Sequence, residues 1–150
     1  MVVRKLHPQK FLSEEERERI VRAISDAEQK TSGEIRVYLE RKGKGEVLAR
    51  AKKIFEKLGM TRTKRRNGVL IYFSLADRAF AVLGDRGIDQ KVDQAFWMNL
   101  TRLMEQSFSS NHFAQGLEEA IQEIAKVLAA EFPPTKDDID ELPNEIAGNG

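Results

Sequence analysis

The chain has 150 residues, of which 41% are apolar and ten are glycine, enough to bury a core and to exclude global disorder. It has no cysteine and only two histidines, His7 and His112, which excludes a disulfide scaffold, a thiolate metal site, a cysteine nucleophile and a multi-histidine centre. With 25 Lys and Arg against 24 Asp and Glu, the net charge of +1 does not mark a nucleic-acid binder, and the length suits one domain.

After an N-terminal arm (residues 1–10), Ser13-Glu14-Glu15-Glu16 has the form of a capping box, with the serine hydroxyl on a free helix N–H and Glu16 reaching back. Ile20, Ile24 and Ala27 recur at helical spacing, and this helix should end before Thr31-Ser32-Gly33. Residues 34–39 alternate, with Ile35, Val37 and Leu39 on one face, which predicts a strand; its charged other face suggests a place near a sheet edge. Lys42-Gly43-Lys44-Gly45 reads as a flexible turn. From Glu46 a second helix turns Val47, Ala51, Ile54, Phe55 and Leu58 inward, with Gly59 placed to cap its C-terminus.

A basic stretch follows, Arg62, Lys64, Arg65 and Arg66, and then Asn67-Gly68, expected to supply a positive-φ turn. No aromatic residue interleaves with these charges, so nucleic acid is not the expected partner. Residues 69–73 are apolar on both faces and predict the central strand. Residues 74–78 turn the chain into 79–83, an antiparallel partner. Gly84-Asp85-Arg86-Gly87 precedes one long predicted helix, with Ile88, Val92, Phe96, Leu100 and Leu103 inward to about Ser107. The last helix should run over 113–131, with Leu117, Ile121, Ile124 and Leu128 inward, and Pro133-Pro134 stop it.

This order predicts an α/β protein, a three-layer α/β/α sandwich around a small mixed sheet of three to four strands, spanning 11–132. The first two strands should be parallel, because a helix crosses between them, and the third antiparallel to the second. Residues 133–150 form an acidic tail whose net −4 opposes the +5 of residues 1–132, so it is expected to be flexible or docked on the domain or on a partner. Ile139 and Leu142 are its apolar contacts for docking. Apolar runs such as 69–73 fall far below the ~20 residues that span a bilayer, and no leader-type run opens the sequence, so a cytoplasmic, membrane-free protein is expected, monomeric by default.

The ordered landmarks Thr31-Ser32-Gly33-Glu34-Ile35, Asn67-Gly68-Val69-Leu70, Asp77-Arg78, Gly84-Asp85-Arg86-Gly87-Ile88 and Phe113-Ala114-Gln115-Gly116-Leu117 resemble a TPM domain over residues 11–132. Specificity lies in their order and spacing, and the resemblance is closest to cytosolic, stand-alone members. It implies an α/β/α sandwich, weak phosphatase or nucleotide-phosphate hydrolysis, and a divalent metal, magnesium or calcium, held by acidic loops. The family's hairpin turn commonly reads Asp-Asp-Arg, whereas this chain has Ala76-Asp77-Arg78. Calcium wants ~6–8 oxygen ligands, so one carboxylate fewer implies weak metal binding at Asp77.

Parallel first and second strands put Lys42, Lys44, Asp77 and Arg78 at one edge of the sheet, and Glu34, Asn67, Asp85 and Arg86 at the other. Five strand residues separate the edges by roughly 17 Å. Open α/β sheets favour ligands beyond the carboxyl ends of their parallel strands, so Asp77 and Arg78 are the expected catalytic pair. Asp77 would serve as metal ligand, base or nucleophile and Arg78 as phosphate clamp, although the same pair also suits a plain hairpin turn. Lys42, Lys44, Glu34, Asn67, Asp85 and Arg86 are the substrate-binding candidates, for a small phosphorylated molecule. The alternative is a non-catalytic module that binds a protein partner.

Overall fold

The computed structural model describes residues 4–134 and 146–149. In chain order the elements are α1 (Glu14–Gln29), β1 (Glu34–Glu40), α2 (Val47–Lys57), a 3-10 turn (Met60–Arg62), β2 (Gly68–Ser74), β3 (Ala79–Gly84), α3 (Arg86–Asp89), α4 (Gln94–Ser109), α5 (Phe113–Glu131) and β4 (Ala147–Asn149). The four strands form one mixed sheet in the order β3-β2-β1-β4. β1 runs parallel to β2 with Glu34 opposite Gly68 and Glu40 opposite Ser74, and β3 runs antiparallel to β2.

Helices cover both faces. Ile35, Val37 and Leu39 of β1 and Val69, Ile71 and Phe73 of β2 face α1, α4 and α5 across a large core. Tyr38, Leu70, Tyr72 and Ala81 face the other way, onto Ala51, Ile54 and Phe55 of α2 and Met60. All seven residues of β2 are buried, as a central strand with two covered faces requires. The TPM-like landmark before β1 ties it to the end of α5, because the Ser32 amide (2.8 Å) and the Thr31 hydroxyl both donate to the Phe132 carbonyl.

Local signals set several boundaries. Ser13 and Glu16 make both bonds of the capping box that starts α1. Gly59 follows α2 with φ +72°, the left-handed conformation that suits a residue without Cβ. Three sequence expectations need correction. β1 lies next to the edge as expected, with only β4 outside it at Tyr38–Glu40, but its polar-reading face is not solvated: only Arg36 escapes full burial, because α2 packs there. The long helix from Ile88 is broken, because Asp93 caps a fresh start and donors of Ala95 and Phe96 bond back to it. The positive φ before β2 belongs to Arg66 (+51°), not to Asn67 or Gly68. The tail contacts expected of Ile139 and Leu142 lie outside the described residues, whereas Ile146 is buried in the main core.

Candidate functional site

The carboxyl ends of β1 and β2 open on a cleft of ≈ 420 Å³ lined by Lys42, Gly43, Arg50, Tyr72, Ser74 and Asp77 among others. Its rim is fixed by the backbone. Leu75 and Ala76 donate to the carbonyls of Glu40 (2.8 Å) and Arg41 (2.7 Å), so the β2–β3 turn continues the parallel ladder beyond the strands. The turn closes with Arg78 at φ +49°. That conformation strains a residue with a Cβ and leaves the guanidinium exposed.

Asp77 accepts from Lys42 Nζ on Oδ1 (3.0 Å) and from Ser74 Oγ on Oδ2 (2.8 Å), and Ser74 Oγ in turn accepts the Gly43 amide (3.0 Å). The Ser74 hydroxyl, and then Lys42, hold the Asp77 carboxyl below the usual carboxylate range, so it is ionised at neutral pH. Behind this rim stands a cluster that sequence reading missed. Glu40 takes a two-pronged contact from Arg50, Nε to Oε2 at 3.0 Å and Nη2 to Oε1 at 2.6 Å, while the Tyr72 hydroxyl donates to Oε2 at 2.7 Å. Burial pushes the Glu40 carboxyl up, but hydrogen bonds from Arg50 and Tyr72 outweigh it and leave it lowered. Burial, and then the bond to Glu40, push the Tyr72 hydroxyl far up, so it remains a donor.

Gly43 makes room for this cluster. A Cβ there would stand 2.1 Å from the Tyr72 oxygen and 3.0 Å from Arg50 Cγ. The sequence does hold a signal for the cluster: Tyr38 and Glu40 alternate in phase on β1, Tyr38 lies opposite Tyr72 and Glu40 opposite Ser74. Arg50 sits one helical turn before the buried Ile54. A face that reads as polar in isolation is thus a covered polar face.

Of the sequence candidates, the fold brings Lys42 and Asp77 together at the cleft; Arg78 follows Asp77 on the same turn but is exposed and does not line the cleft. Lys44 is exposed on the Gly43–Gly45 loop and does not line the cleft. Glu34, Asn67, Asp85 and Arg86 gather at the opposite edge, across the seven residues of β2 or roughly 20 Å. There the Asn67 carbonyl accepts the Glu34 amide (3.3 Å), and Asp85 caps α3 through the Arg86 amide (2.8 Å). Arg66 also grips Asp85 at 2.7 and 2.9 Å, which satisfies the aspartate as a structural group.

A divalent cation at Asp77 has a poor donor set. Both Asp77 oxygens are engaged, one by an ammonium, and the next carboxylate, Glu40, is held by Arg50 and Tyr72. Among the described residues no three His, Cys, Asp or Glu converge, against the ~6 oxygen ligands that magnesium or calcium require. These residues do not fit such an ion.

A mixed sheet between two helical layers, with a cleft at the carboxyl ends of its parallel strands, defines the class of protein. The family model of the TPM domain matches residues 6–127, and the chain belongs to that family. Among solved structures it is similar to the BA42 protein of the psychrophilic bacterium Bizionia argentinensis, at 45% identity and TM-score 0.88 over 94% of this chain and 97% of that one. The N-terminal domain of a P. gingivalis protein shares the fold at 21% identity and TM-score 0.62, over 81% of this chain and 78% of that one. No curated protein is matched. Among the described residues no helix is long and apolar enough to cross a membrane.

Proposed function

We propose that the chain is a weak phosphate-monoester or nucleotide-phosphate hydrolase acting at the rim of this cleft. The observation that carries the reading is the Lys42–Asp77–Ser74 chain of hydrogen bonds at the cleft mouth, an ionised carboxylate beside a mobile ammonium. An incoming phosphate draws Lys42 away from Asp77, and Lys42 with Arg78 then faces the equatorial phosphoryl oxygens. The freed Asp77 oxygen orients a water for in-line attack. The P–O bond to the ester oxygen breaks as the new one forms, and the water proton ends on the released alcohol. Because its pKa is lowered, Asp77 is a feeble base, which accounts for a slow reaction. No step is routed through a metal.

Asp77→Asn keeps the turn, since the amide oxygen still accepts from Ser74, but loses the charge. With p-nitrophenyl phosphate as substrate and EDTA present, wild-type protein should release nitrophenol and Asp77→Asn should fall at least tenfold. Equal rates in the two proteins would overturn the reading. A second reading, a non-catalytic module for a protein partner, draws on the same bonds, because Asp77 and Glu40 are both already satisfied. Absence of any hydrolysis by pure wild-type protein would favour it.

A further inference from the structure

Arg50 has no role in the reaction as drawn above, yet it is the more buried of the two cations that line the cleft. Its side chain is 19% exposed, and its partner Glu40 only 7%. Of the five N–H donors of a guanidinium, those on Nε and Nη2 that point at Glu40 are taken, edge-on. Nη1 and the second Nη2 hydrogen meet no acceptor among the described residues, and the side chain lines the cleft. Tyr72, Ser74 and the Gly43 backbone line the same wall. Lys42 differs: at 69% exposure it is a flexible point charge at the mouth.

We infer that Arg50 anchors the anion, its Glu40-gripped guanidinium presenting the open end of the fork to two oxygens of a phosphate monoester. This inference rests on the reading of the cleft as a phosphate-ester site. A guanidinium aligned beforehand loses little side-chain freedom when it meets a phosphate, and its fork matches a pair of phosphoryl oxygens as an ammonium does not. Arg50 joins Lys42 and Arg78 about one group, and that gathering of cations suits a dianion, so a monoester is preferred over a singly charged diester. The ≈ 420 Å³ of the cleft exceed what inorganic phosphate fills and leave space for the esterified group. Tyr72 and Gly43 act as positioning residues, the first by bonding Glu40 and the second by leaving room for that bond.

The test is an NMR titration of the full chain with inorganic phosphate and, separately, phenyl phosphate, followed at the backbone amides and at the Arg50 Nε–H. Wild-type protein should show saturable shifts at Arg50 Nε–H and at residues 42–46 and 74–78, with phenyl phosphate the tighter of the two. Arg50→Lys keeps the charge but not the fork, and should weaken both ligands at least tenfold. Arg50→Met combined with Glu40→Gln removes the fork without stranding a buried carboxylate, and should do the same. Arg50→Lys binding as tightly as wild type, or an Arg50 Nε–H that stays still while phosphate saturates elsewhere, would overturn the inference. So would the lack of any saturable shift in wild type. Phosphate binding that moves Arg50, without hydrolysis of any ester, leaves the anchor standing and removes the hydrolase. Hydrolysis that is indifferent to both Arg50 variants does the reverse.

Discussion

Replacing Gly43 with alanine tests the most crowded point of the site. The new Cβ would lie 2.1 Å from the Tyr72 oxygen, 3.0 Å from Arg50 Cγ and 3.3 Å from Glu40 Oε2. Tyr72 is fully buried on the central strand, so its ring has nowhere to swing. The hydroxyl must leave Glu40, and losing a hydrogen bond to a charged group costs about 1.5–3 kcal/mol. Overpacking adds roughly 1–3 kcal/mol, while restricting the unfolded chain returns about 0.4–1 kcal/mol. Gly43 does not have a positive φ, so backbone strain adds nothing. The expected destabilisation is therefore about 1.5–5.5 kcal/mol, read as a shift in urea midpoint at unchanged slope. Tyr72→Phe removes the clashing oxygen, so the double variant should be less destabilised than the sum of the two single ones, by at least about 1 kcal/mol. A Gly43→Ala protein within 0.5 kcal/mol of wild type (roughly the scatter expected of an indifferent surface substitution) would refute the reasoning.

The Arg4 guanidinium, bonded to both Glu16 oxygens at 2.7 Å, holds the Glu16 carboxyl at about 2. A carboxyl lowered in the folded state stabilises above its ordinary pKa, and that stability is lost as pH falls from about 4.5 toward 2. Arg4→Met should thus lower stability by about 1–2 kcal/mol at pH 7, discounted because both side chains are about one-fifth exposed, and the difference should shrink as pH falls through 2, leaving the smaller loss of the Arg4 bond to the Phe11 carbonyl. Arg78→Gly relieves the left-handed strain at φ +49° and should stabilise by about 0.5–1 kcal/mol in thermal unfolding, while hydrolysis falls. A less stable Arg78→Gly protein would contradict that account. In Gly148→Ala the Cβ would meet the Leu39 carbonyl at 2.8 Å and Pro8 Cβ at 2.9 Å. Hydrogen exchange should then quicken at least tenfold at the amides joining β4 to β1, with the rest of the sheet unchanged.

What the sequence determined is local. The capping box at Ser13, the glycine after α2, the both-faces-apolar run that became β2, and the bounds of α5 at 113 and 131 all follow from signals a few residues apart. The order of those elements, with one helix between two strands, already required a parallel pair and so placed Lys42 and Asp77 at one edge, 3.0 Å apart in the fold. The break before Asp93 is hidden in the sequence for a physical reason. Helical periodicity continues through Ile88, Val92 and Phe96, and it competes with an aspartate whose preference for capping depends on where the helix packs.

Only the tertiary structure decided the floor of the cleft. Glu40, Arg50 and Tyr72 lie 10 and 32 residues apart, and each alone reads as an exposed acid, a solvated helix base and a core aromatic. Packing α2 onto β1 and β2 removes water from all three at once. A buried carboxylate then has to find its donors among whatever the sheet register sets beside it. The same holds at the sheet edge, where Ile146 and the three residues of β4 supply what β1 lacks. No periodicity could have announced that pairing, because a three-residue strand is defined by the edge it covers and not by its own sequence.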